Sequence, residues 1–148
     1  MPSQLPLDML IGLAQDSTDA ASRELGRLSA EHARAGQQLE MLQDYRQDYL
    51  KRLQDAMLAG MSAADCQNYQ RFINTLDDAI RQQYNVLHQA EQQLAQARLH
   101  WQQEKRRLNS FDTLAQRDAR SRALTEARRE QRANDEISAR LAHRRAGF

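Results

Sequence analysis

The stretch Leu58-Ala-Gly-Met-Ser-Ala-Ala-Asp65 decides the fold of this chain. Glycine is the residue type that most often follows the end of a helix, and Gly60 is the third residue of the stretch. Ser62 has the N-cap position of a new helix, with Asp65 three residues further on. Because the connection is then only about three to five residues long, the two helices must run antiparallel. The sequence predicts a helical hairpin that turns at Gly60.

The composition on both sides of this turn favours long helices. Both prolines, Pro2 and Pro6, precede residue 7, and aromatic residues make up only 5% of the chain. Such a chain lacks the apolar density of a globular domain, whereas abundant Ala, Leu, Gln, Glu and Arg with a heptad period are typical of a coiled coil. Because Asp8 follows Pro6, the first helix is predicted to begin near residues 5–7.

Four heptad series mark the seam, the row of positions along which the two helices should pack. In the first helix, one series is apolar throughout: Leu7, Ala14, Ala21, Leu28, Ala35, Leu42, Tyr49, Ala56. The other contains three polar residues: Ile11, Thr18, Leu25, His32, Leu39, Arg46, Leu53. The second helix contributes Cys66, Ile73, Ile80, Leu87, Leu94, Trp101, Leu108, Ala115, and also Tyr69, Leu76, Gln83, Ala90, Ala97, Glu104, Phe111.

Folding at the turn sets large seam residues against small ones. Trp101 falls opposite Ala21 and is therefore predicted to be a core residue. The polar residues Thr18 and Glu104 also fall opposite each other. Interdigitated packing requires this alternation of size, and a slip by one heptad would pair several bulky residues. The register is therefore moderately specified.

We predict an all-α fold, a long antiparallel two-helix coiled coil whose second helix overhangs the first. The predicted single domain has a first helix of roughly 80 Å and a second of roughly 120 Å. Its bounds are residues 1–148, with helix 1 at about 6–58, the turn at about 59–62 and helix 2 at about 63–142. Since the seam ends near Ala115, residues 118–148 are expected to form an unpaired basic overhang.

The basic residues are concentrated in the overhang. Residues 116–148 carry nine basic and five acidic side chains, and all nine basic ones are Arg, whereas residues 1–60 carry six basic and nine acidic ones. Such arginines could bind nucleic-acid phosphates. Interleaved acidic residues and the lack of aromatic residues before Phe148 instead favour a solvated helix face or a surface for an acidic protein partner. The candidate contacts are Arg117, Arg120, Arg122, Arg128, Arg129 and Arg132.

Catalysis has no candidate residues. The four histidines are not spaced as metal ligands, Cys66 has no convergent base, and no glycine-rich phosphate loop is present. We expect no enzyme activity, no metal and no cofactor. The longest apolar run, Met9 to Ala14, is too short to span a bilayer, and a single cysteine suits a reducing compartment. These features predict a cytoplasmic protein.

Two rows of residues, one on each predicted helix, are mirror images of each other about the turn. The first row is Gln38, Leu42, Tyr45, Tyr49 and the second is Phe72, Leu76, Ala79, Gln83, and in both rows successive residues are four, three and four positions apart. Leu42, Tyr49 and Leu76 fall on the seam, where holding the hairpin together would explain them. Tyr45 and Phe72 lie just outside the seam, and an exposed Phe beside an exposed Tyr is a candidate contact patch. We call the composite surface the mirrored face: Gln38, Leu42, Tyr45, Tyr49, Phe72, Leu76, Ala79 and Gln83, the first four facing the last four in order.

Four segments together resemble the FliJ family of flagellar type III export proteins. They are Leu42-Gln-Asp-Tyr45-Arg-Gln-Asp-Tyr49, Asn68-Tyr-Gln-Arg-Phe72-Ile-Asn-Thr-Leu76, Trp101-Gln-Gln-Glu-Lys-Arg-Arg-Leu108 and Glu126-Ala-Arg-Arg. The two tyrosines before the turn and the Asn-Tyr-Gln-x-Phe run after it are the most specific. The resemblance implies a non-catalytic cytoplasmic component of the export apparatus, similar in fold to the stalk subunit of rotary ATPases.

The resemblance also implies three partners. They are a hexameric export ATPase whose central pore receives the terminal end of the hairpin, the membrane-embedded export-gate protein, and empty substrate chaperones. Carried over position by position, the gate-binding surface falls on the mirrored face, and the protein is associated with the inner membrane only through the apparatus. The alternatives are a generic coiled-coil adaptor and the equivalent stalk protein of a virulence type III system.

Overall fold

The computed structural model describes residues 6–147, so the outermost parts of the predicted domain, residues 1–5 and 148, lie outside the described residues. The described chain forms two α-helices, α1 at Leu7–Ala59 and α2 at Ala63–Ala146, and contains no strand. The two helices pack against each other. This arrangement confirms the predicted helical hairpin.

The hairpin turn is closed by a glycine in the left-handed region. Gly60 has a φ of 92°, and its amide donates a hydrogen bond to the carbonyl oxygen of Met57 at 3.3 Å. A residue with a Cβ is strained in this conformation, whereas glycine adopts it readily. The need for a positive φ explains why α1 ends where the sequence places Gly60.

The first turn of α2 is capped as its sequence predicts. The hydroxyl oxygen of Ser62 accepts a hydrogen bond from the Asp65 amide at 3.2 Å, and its carbonyl oxygen accepts one from the Cys66 amide at 3.0 Å. The Ser62 side chain thus satisfies an amide that has no partner inside the helix. The carboxylate of Asp65 also places a negative charge in the first turn, where the helix dipole stabilises it.

The chain divides into two compact units, which we describe separately. Unit 1 consists of Met1–Thr18 and Glu104–Phe148, and unit 2 consists of Asp19–Gln103. Each unit therefore contains a segment of α1 and a segment of α2.

The core of unit 2 follows the predicted seam. Leu28, Leu94 and Ala97 form a buried cluster, and Leu25 packs against it. Trp101 was predicted to be a core residue but is only half-buried, whereas Ala21, which the predicted register sets opposite it, is buried. Buried apolar seam residues of this unit also include Ala21, Ala35, Leu39, Leu53, Ile73 and Leu76.

Polar seam residues of unit 2 have partners on the other helix. The Nε atom of Arg46 donates a hydrogen bond to Oδ1 of Asp77 at 2.5 Å. The Nε2 atom of His32 lies 3.5 Å from Oε1 of Glu91. The Arg46–Asp77 pair is partly exposed, so the solvent screens it and it contributes only about 0–1 kcal/mol. The His32–Glu91 contact is an ion pair only when the imidazole is protonated. Arg46 and His32, the polar residues that interrupt the apolar series in this unit, therefore each contact a carboxylate on α2.

A polar layer also crosses the seam of unit 1. The Thr18 hydroxyl is buried and lies within hydrogen-bonding distance of two backbone carbonyl oxygens, that of Ala14 at 2.8 Å and that of Glu104 at 3.3 Å. The Glu104 side chain is half-buried, and its Oε2 atom is buried without a hydrogen-bond partner. Leu108 packs in the same unit and is 3% exposed. The layer is thus polar and only partly satisfied.

The pairing of helices in unit 1 ends at the first turn of α1. There Pro6–Asp8 and the α2 residues Ala115, Asp118, Ala119 and Arg122 line a shallow cleft of about 260 Å³. All residues from 116 to 147 are exposed. The end of α2 continues a helix that is already formed, so it does not bear the cost of nucleation.

Candidate partner-binding surfaces

The mirrored face lies entirely in unit 2. Its first four residues, Gln38 to Tyr49, belong to α1, and its last four, Phe72 to Gln83, belong to α2. The tight turn at Gly60 brings the two stripes side by side, because it reverses the chain between them. The face is therefore built by two helices and depends on their register.

Three aromatic rings surround Tyr49. Its ring centroid lies 4.2 Å from that of Phe72, 6.0 Å from that of Tyr45 and 6.1 Å from that of Tyr69. The rings of Tyr45 and Tyr49 are stacked, with an interplanar angle of 19°. The guanidinium carbon of Arg52 lies 5.4 Å from the centroid of the Tyr49 ring, close enough for a cation–π interaction. Tyr49 is the centre of one aromatic cluster formed by both helices.

Exposure separates the residues that hold the hairpin together from those that are open to a partner. Leu76 is only 8% exposed, and Tyr49 is half-buried, so both contribute to packing. Tyr45 is 56% exposed and Phe72 is 38% exposed, although each of them contacts Tyr49. Packing thus explains Leu76 and Tyr49, while Tyr45 and Phe72 stay candidate contact residues.

The other end of the mirrored face is polar. The Nε2 atom of Gln83 donates to the carbonyl oxygen of Ala35 at 3.0 Å and lies 3.3 Å from Oε1 of Gln38. Gln83 is thus tied to the α1 backbone, while Gln38 is exposed. Leu42 and Ala79, between the two ends, are half-buried.

The two edges of the seam differ in chemistry. Phe72 precedes the seam residue Ile73, whereas Asp77 and Tyr84 directly follow seam residues, so they lie on the opposite edge of α2. On that opposite edge, Asp77 pairs with α1 as described above, and the Tyr84 hydroxyl accepts a hydrogen bond from Nε2 of Gln43 at 3.1 Å. The ring of Tyr84 is nevertheless 51% exposed. The edge of Tyr45 and Phe72 is bridged at its polar end by Gln83 and Gln38, so the two edges differ chiefly in the aromatic cluster that one of them carries.

Tyr69 belongs to the aromatic cluster, although it is not one of the eight residues that the mirrored spacing predicts. It occupies a seam position three residues before Phe72, and it contacts Tyr49 from α2. The signal was present in the heptad series. The cross-helix bridges on the opposite edge have no comparable signal, because heptad spacing does not determine which polar side chains meet.

The six predicted arginines of the overhang are all exposed. The guanidinium of Arg122 forms an ion pair with the carboxylate of Asp118 at 3.1 Å. No core residue is found in this part of α2, since each of residues 116–147 is exposed. The segment presents separate positive charges on a solvated helix.

Residues 6–147 contain no group of three or more His, Cys, Asp or Glu side chains that could hold a metal ion. The pKa of Glu24 is lowered and that of Arg27 is raised, chiefly because the two side chains share a hydrogen bond on the exposed surface of α1. These shifts are those expected of a surface ion pair between Glu24 and Arg27.

Neither described helix is long and apolar enough to cross a membrane.

Comparison with known proteins identifies the family. The sequence model of the family described as "Flagellar FliJ protein" matches residues 3–147. The flagellar FliJ proteins of Escherichia coli strain K12 and Salmonella typhi are each 36% identical to this chain over 139 residues, which covers 94% of this chain and 95% of each relative. The FliJ protein of Buchnera aphidicola is 36% identical over 50 residues, 34% of either chain. The chain belongs to the FliJ family of flagellar proteins.

Proposed function

We propose that this chain is a non-catalytic stalk of the flagellar type III export apparatus. It binds and stimulates the hexameric export ATPase, contacts the export-gate protein and escorts empty export chaperones. Membership of the FliJ family supports a flagellar export component, and the finer roles are our proposal. The protein acts in the cytoplasm and is held at the inner membrane through its partners.

The observation that carries the proposal is the open half of the mirrored face. Tyr45 and Phe72 are exposed beside the half-buried Tyr49, and the rings of both contact the Tyr49 ring. Aromatic side chains supply much of the contact area at protein interfaces, and clusters of them often form the energetic centre. We assign the eight residues of the mirrored face to the export gate.

The arginines of the overhang are assigned to the ATPase. They lie on a helical segment without a core, so its side chains are free to adapt to a surface. Arginine forms charge-assisted hydrogen bonds with carboxylates, which would suit an acidic surface of the ring. Because the segment is exposed, these contacts should weaken as the salt concentration rises.

Coupling between the two partners needs no chemistry in the chain itself. The residues that we assign to the gate belong to unit 2 and the arginines that we assign to the ATPase belong to unit 1, and we propose that one molecule binds both partners. Ring assembly and gate opening then each favour the state in which the stalk is engaged with both. By linkage, the gate must strengthen ATPase binding as much as the ATPase strengthens gate binding.

Two assays test the proposal. The purified chain should increase ATP hydrolysis and ring formation by the purified export ATPase. The double variant Tyr45→Ala/Phe72→Ala should lose affinity for the purified cytoplasmic domain of the gate protein while keeping its helical circular dichroism signal. Met41→Ala is a matched control, because Met41 is 65% exposed on α1 but lies outside the mirrored face.

Failure of these assays would identify the alternatives. A chain that binds the gate but leaves ATP hydrolysis unchanged would act as a generic adaptor. A chain that stimulates the ATPase of a virulence type III system but not the flagellar one would be the equivalent stalk of that system. Each outcome would contradict the proposed function.

A further inference from the structure

One cation lies in the seam next to the mirrored face. Arg46 is the only Lys or Arg in the four heptad series, and it lies between Tyr45 and Tyr49 in sequence. Its side chain is 35% exposed, so the guanidinium is partly withdrawn from water. A charge in such a position needs a partner, because removing it from water without one is costly. The group that binds Arg46 therefore determines on which edge of the seam this charge lies.

Asp77 of α2 is the partner of Arg46. Its Oδ1 atom accepts the hydrogen bond from Nε of Arg46 at 2.5 Å, and it lies on the edge of the seam that does not carry the aromatic cluster. Asp77 and Asp78 are the only acidic residues within residues 66–90. The carboxylate of Asp78 forms an ion pair with Arg81 on the same helix at 2.9 Å. Asp77 is therefore the carboxylate of this part of α2 that binds α1.

The helix α1 itself offers no carboxylate that faces Arg46. On a helix, the side chains three and four positions away are the ones that face a residue. None of these is acidic for Arg46, since they are Leu42, Gln43, Tyr49 and Leu50. Asp44 and Asp48 are only two positions away and lie on other faces of the helix. The Gln43 amide already donates a hydrogen bond across the seam. The ring of Tyr49 is the remaining neighbour that attracts a guanidinium, through a cation–π interaction.

The ring of Tyr49 already has close neighbours. The ring of Tyr45 stacks on it at a centroid distance of 6.0 Å, and the ring of Phe72 lies at 4.2 Å. The guanidinium carbon of Arg52 lies 5.4 Å from the same centroid. A second guanidinium at this ring would displace an aromatic neighbour and would also be repelled by Arg52. Both effects would change the aromatic cluster, which contains the exposed rings of the mirrored face.

We propose that Asp77 is a positioning residue for the mirrored face. It holds the Arg46 guanidinium at the edge of the seam away from Phe72, and it thereby keeps this charge off the Tyr49 ring. Asp77 thus acts on the aromatic cluster through Arg46. The effect on the rings is a property of the chain alone, whereas its consequence for gate binding rests on the proposed function.

The first test uses the isolated chain and observes the tyrosine rings by ¹H–¹³C NMR. Asp77→Asn removes the carboxylate charge at nearly constant size, so Arg46 should move to Tyr49, and the ring resonances of Tyr49 and Tyr45 should shift. In Arg46→Met/Asp77→Asn, the uncharged methionine keeps an unbranched, flexible stem, so the ring resonances should return close to their wild-type positions. Asp78→Asn is the matched control, because it makes the same change one position along, in a carboxylate that binds Arg81. It should leave the ring resonances of Tyr49 and Tyr45 unchanged.

The second test measures binding of the same variants to the purified cytoplasmic domain of the gate protein by titration calorimetry. Asp77→Asn should weaken binding by about fivefold, because the exposed rings must first be freed from the guanidinium. Arg46→Met/Asp77→Asn should bind like the wild type, and so should Asp78→Asn. Both Asp77 variants lack the hydrogen bond between the helices, so a purely structural role of that bond would make them equally weak. Recovery of affinity in the double variant therefore distinguishes positioning from stabilisation.

The outcomes separate this inference from the proposed function. If Asp77→Asn leaves the tyrosine resonances unchanged, or if the double variant does not restore them, Asp77 does not position the cluster and the inference is overturned. If the rings respond as expected but the wild-type chain does not bind the gate domain, the proposed function fails while the positioning of the rings stands. If the rings respond and Asp77→Asn binds the gate domain like the wild type, the role of Asp77 in gate binding is refuted.

Discussion

The ring of Phe72 lies 4.2 Å from the ring of Tyr49, yet Phe72 is exposed and Tyr49 is half-buried. Tyr49 occupies a seam position, and Phe72 lies one position before the seam residue Ile73. One aromatic contact therefore joins a residue that closes the hairpin to a residue that is open to a partner. Because their burial differs, stability and binding should respond differently to substitutions along this cluster.

Tyr49→Ala should destabilise the chain, whereas Tyr45→Ala should not. Removing the half-buried ring of Tyr49 leaves its aromatic neighbours without their common contact and should lower the free energy of unfolding by about 2 kcal/mol. Tyr45 is 56% exposed, so its removal should change the free energy of unfolding by less than about 0.5 kcal/mol. Urea denaturation followed by circular dichroism measures both. Equal losses would show that Tyr45 is as structural as Tyr49.

The sequence was sufficient to predict the seam because heptad spacing and the turn residues act locally. Ala14, Leu28, Ile73 and Leu108 are buried at positions that the apolar series assigns to the interior. Given one short turn, the pairing of the two series follows from counting outward from Gly60. The same count predicted which residues at the two ends of the mirrored face lie opposite each other. In the structure Gln38 contacts Gln83, and Tyr49 contacts Phe72.

The hydrogen-bond partners of the polar seam residues could not be predicted in the same way. Arg46 occupies a seam position that heptad counting marks only as an interruption, but its long side chain reaches Asp77 at the edge of the seam. Glu104 occupies a similar interruption, and one of its oxygens is buried without a hydrogen bond. Spacing gives the direction of a Cβ atom, whereas these outcomes depend on side-chain length and rotamer.

Gly60→Ala should destabilise the hairpin through its backbone alone. An added Cβ at Gly60 would meet no atom within 4 Å, so it causes no clash, but the φ of 92° is unfavourable for alanine. We expect the free energy of unfolding to fall by about 1 kcal/mol.

Gly36→Ala provides the matched control for this substitution. A Cβ at Gly36 also meets no atom within 4 Å, but Gly36 lies inside α1. Alanine there should raise the free energy of unfolding by about 0.5–1 kcal/mol, because it is the better helix former. Thermal unfolding of the two variants would test the pair, and the explanation is wrong if both substitutions shift the melting temperature in the same direction.

Glu104→Leu should stabilise the chain. The Oε2 atom of Glu104 is buried without a hydrogen-bond partner, and leaving a buried polar atom unsatisfied costs about 1–3 kcal/mol. Leucine has a similar volume and completes the apolar seam, so the free energy of unfolding should rise by about 1 kcal/mol. Glu126→Leu, at an exposed position of α2, should give no such gain. A loss of stability in Glu104→Leu would mean that the carboxylate is held by a favourable interaction.

Removal of residues 123–148 should leave the paired part of the chain intact and impair its action on the ATPase. The pairing with the first turn of α1 ends near Arg122, and every residue from 116 to 147 is exposed, so the deletion removes helix without removing core. The midpoint of urea denaturation should not change, while the helical circular dichroism signal should fall in proportion to the number of helical residues removed. Stimulation of ATP hydrolysis should decrease. The triple variant Arg128→Gln/Arg129→Gln/Arg132→Gln keeps the helix but removes three of its charges, and it should show part of the same decrease. Stimulation equal to that of the wild type in both variants would exclude Arg128, Arg129 and Arg132 as ATPase contacts and would confine the overhang's contribution to Arg117, Arg120 and Arg122.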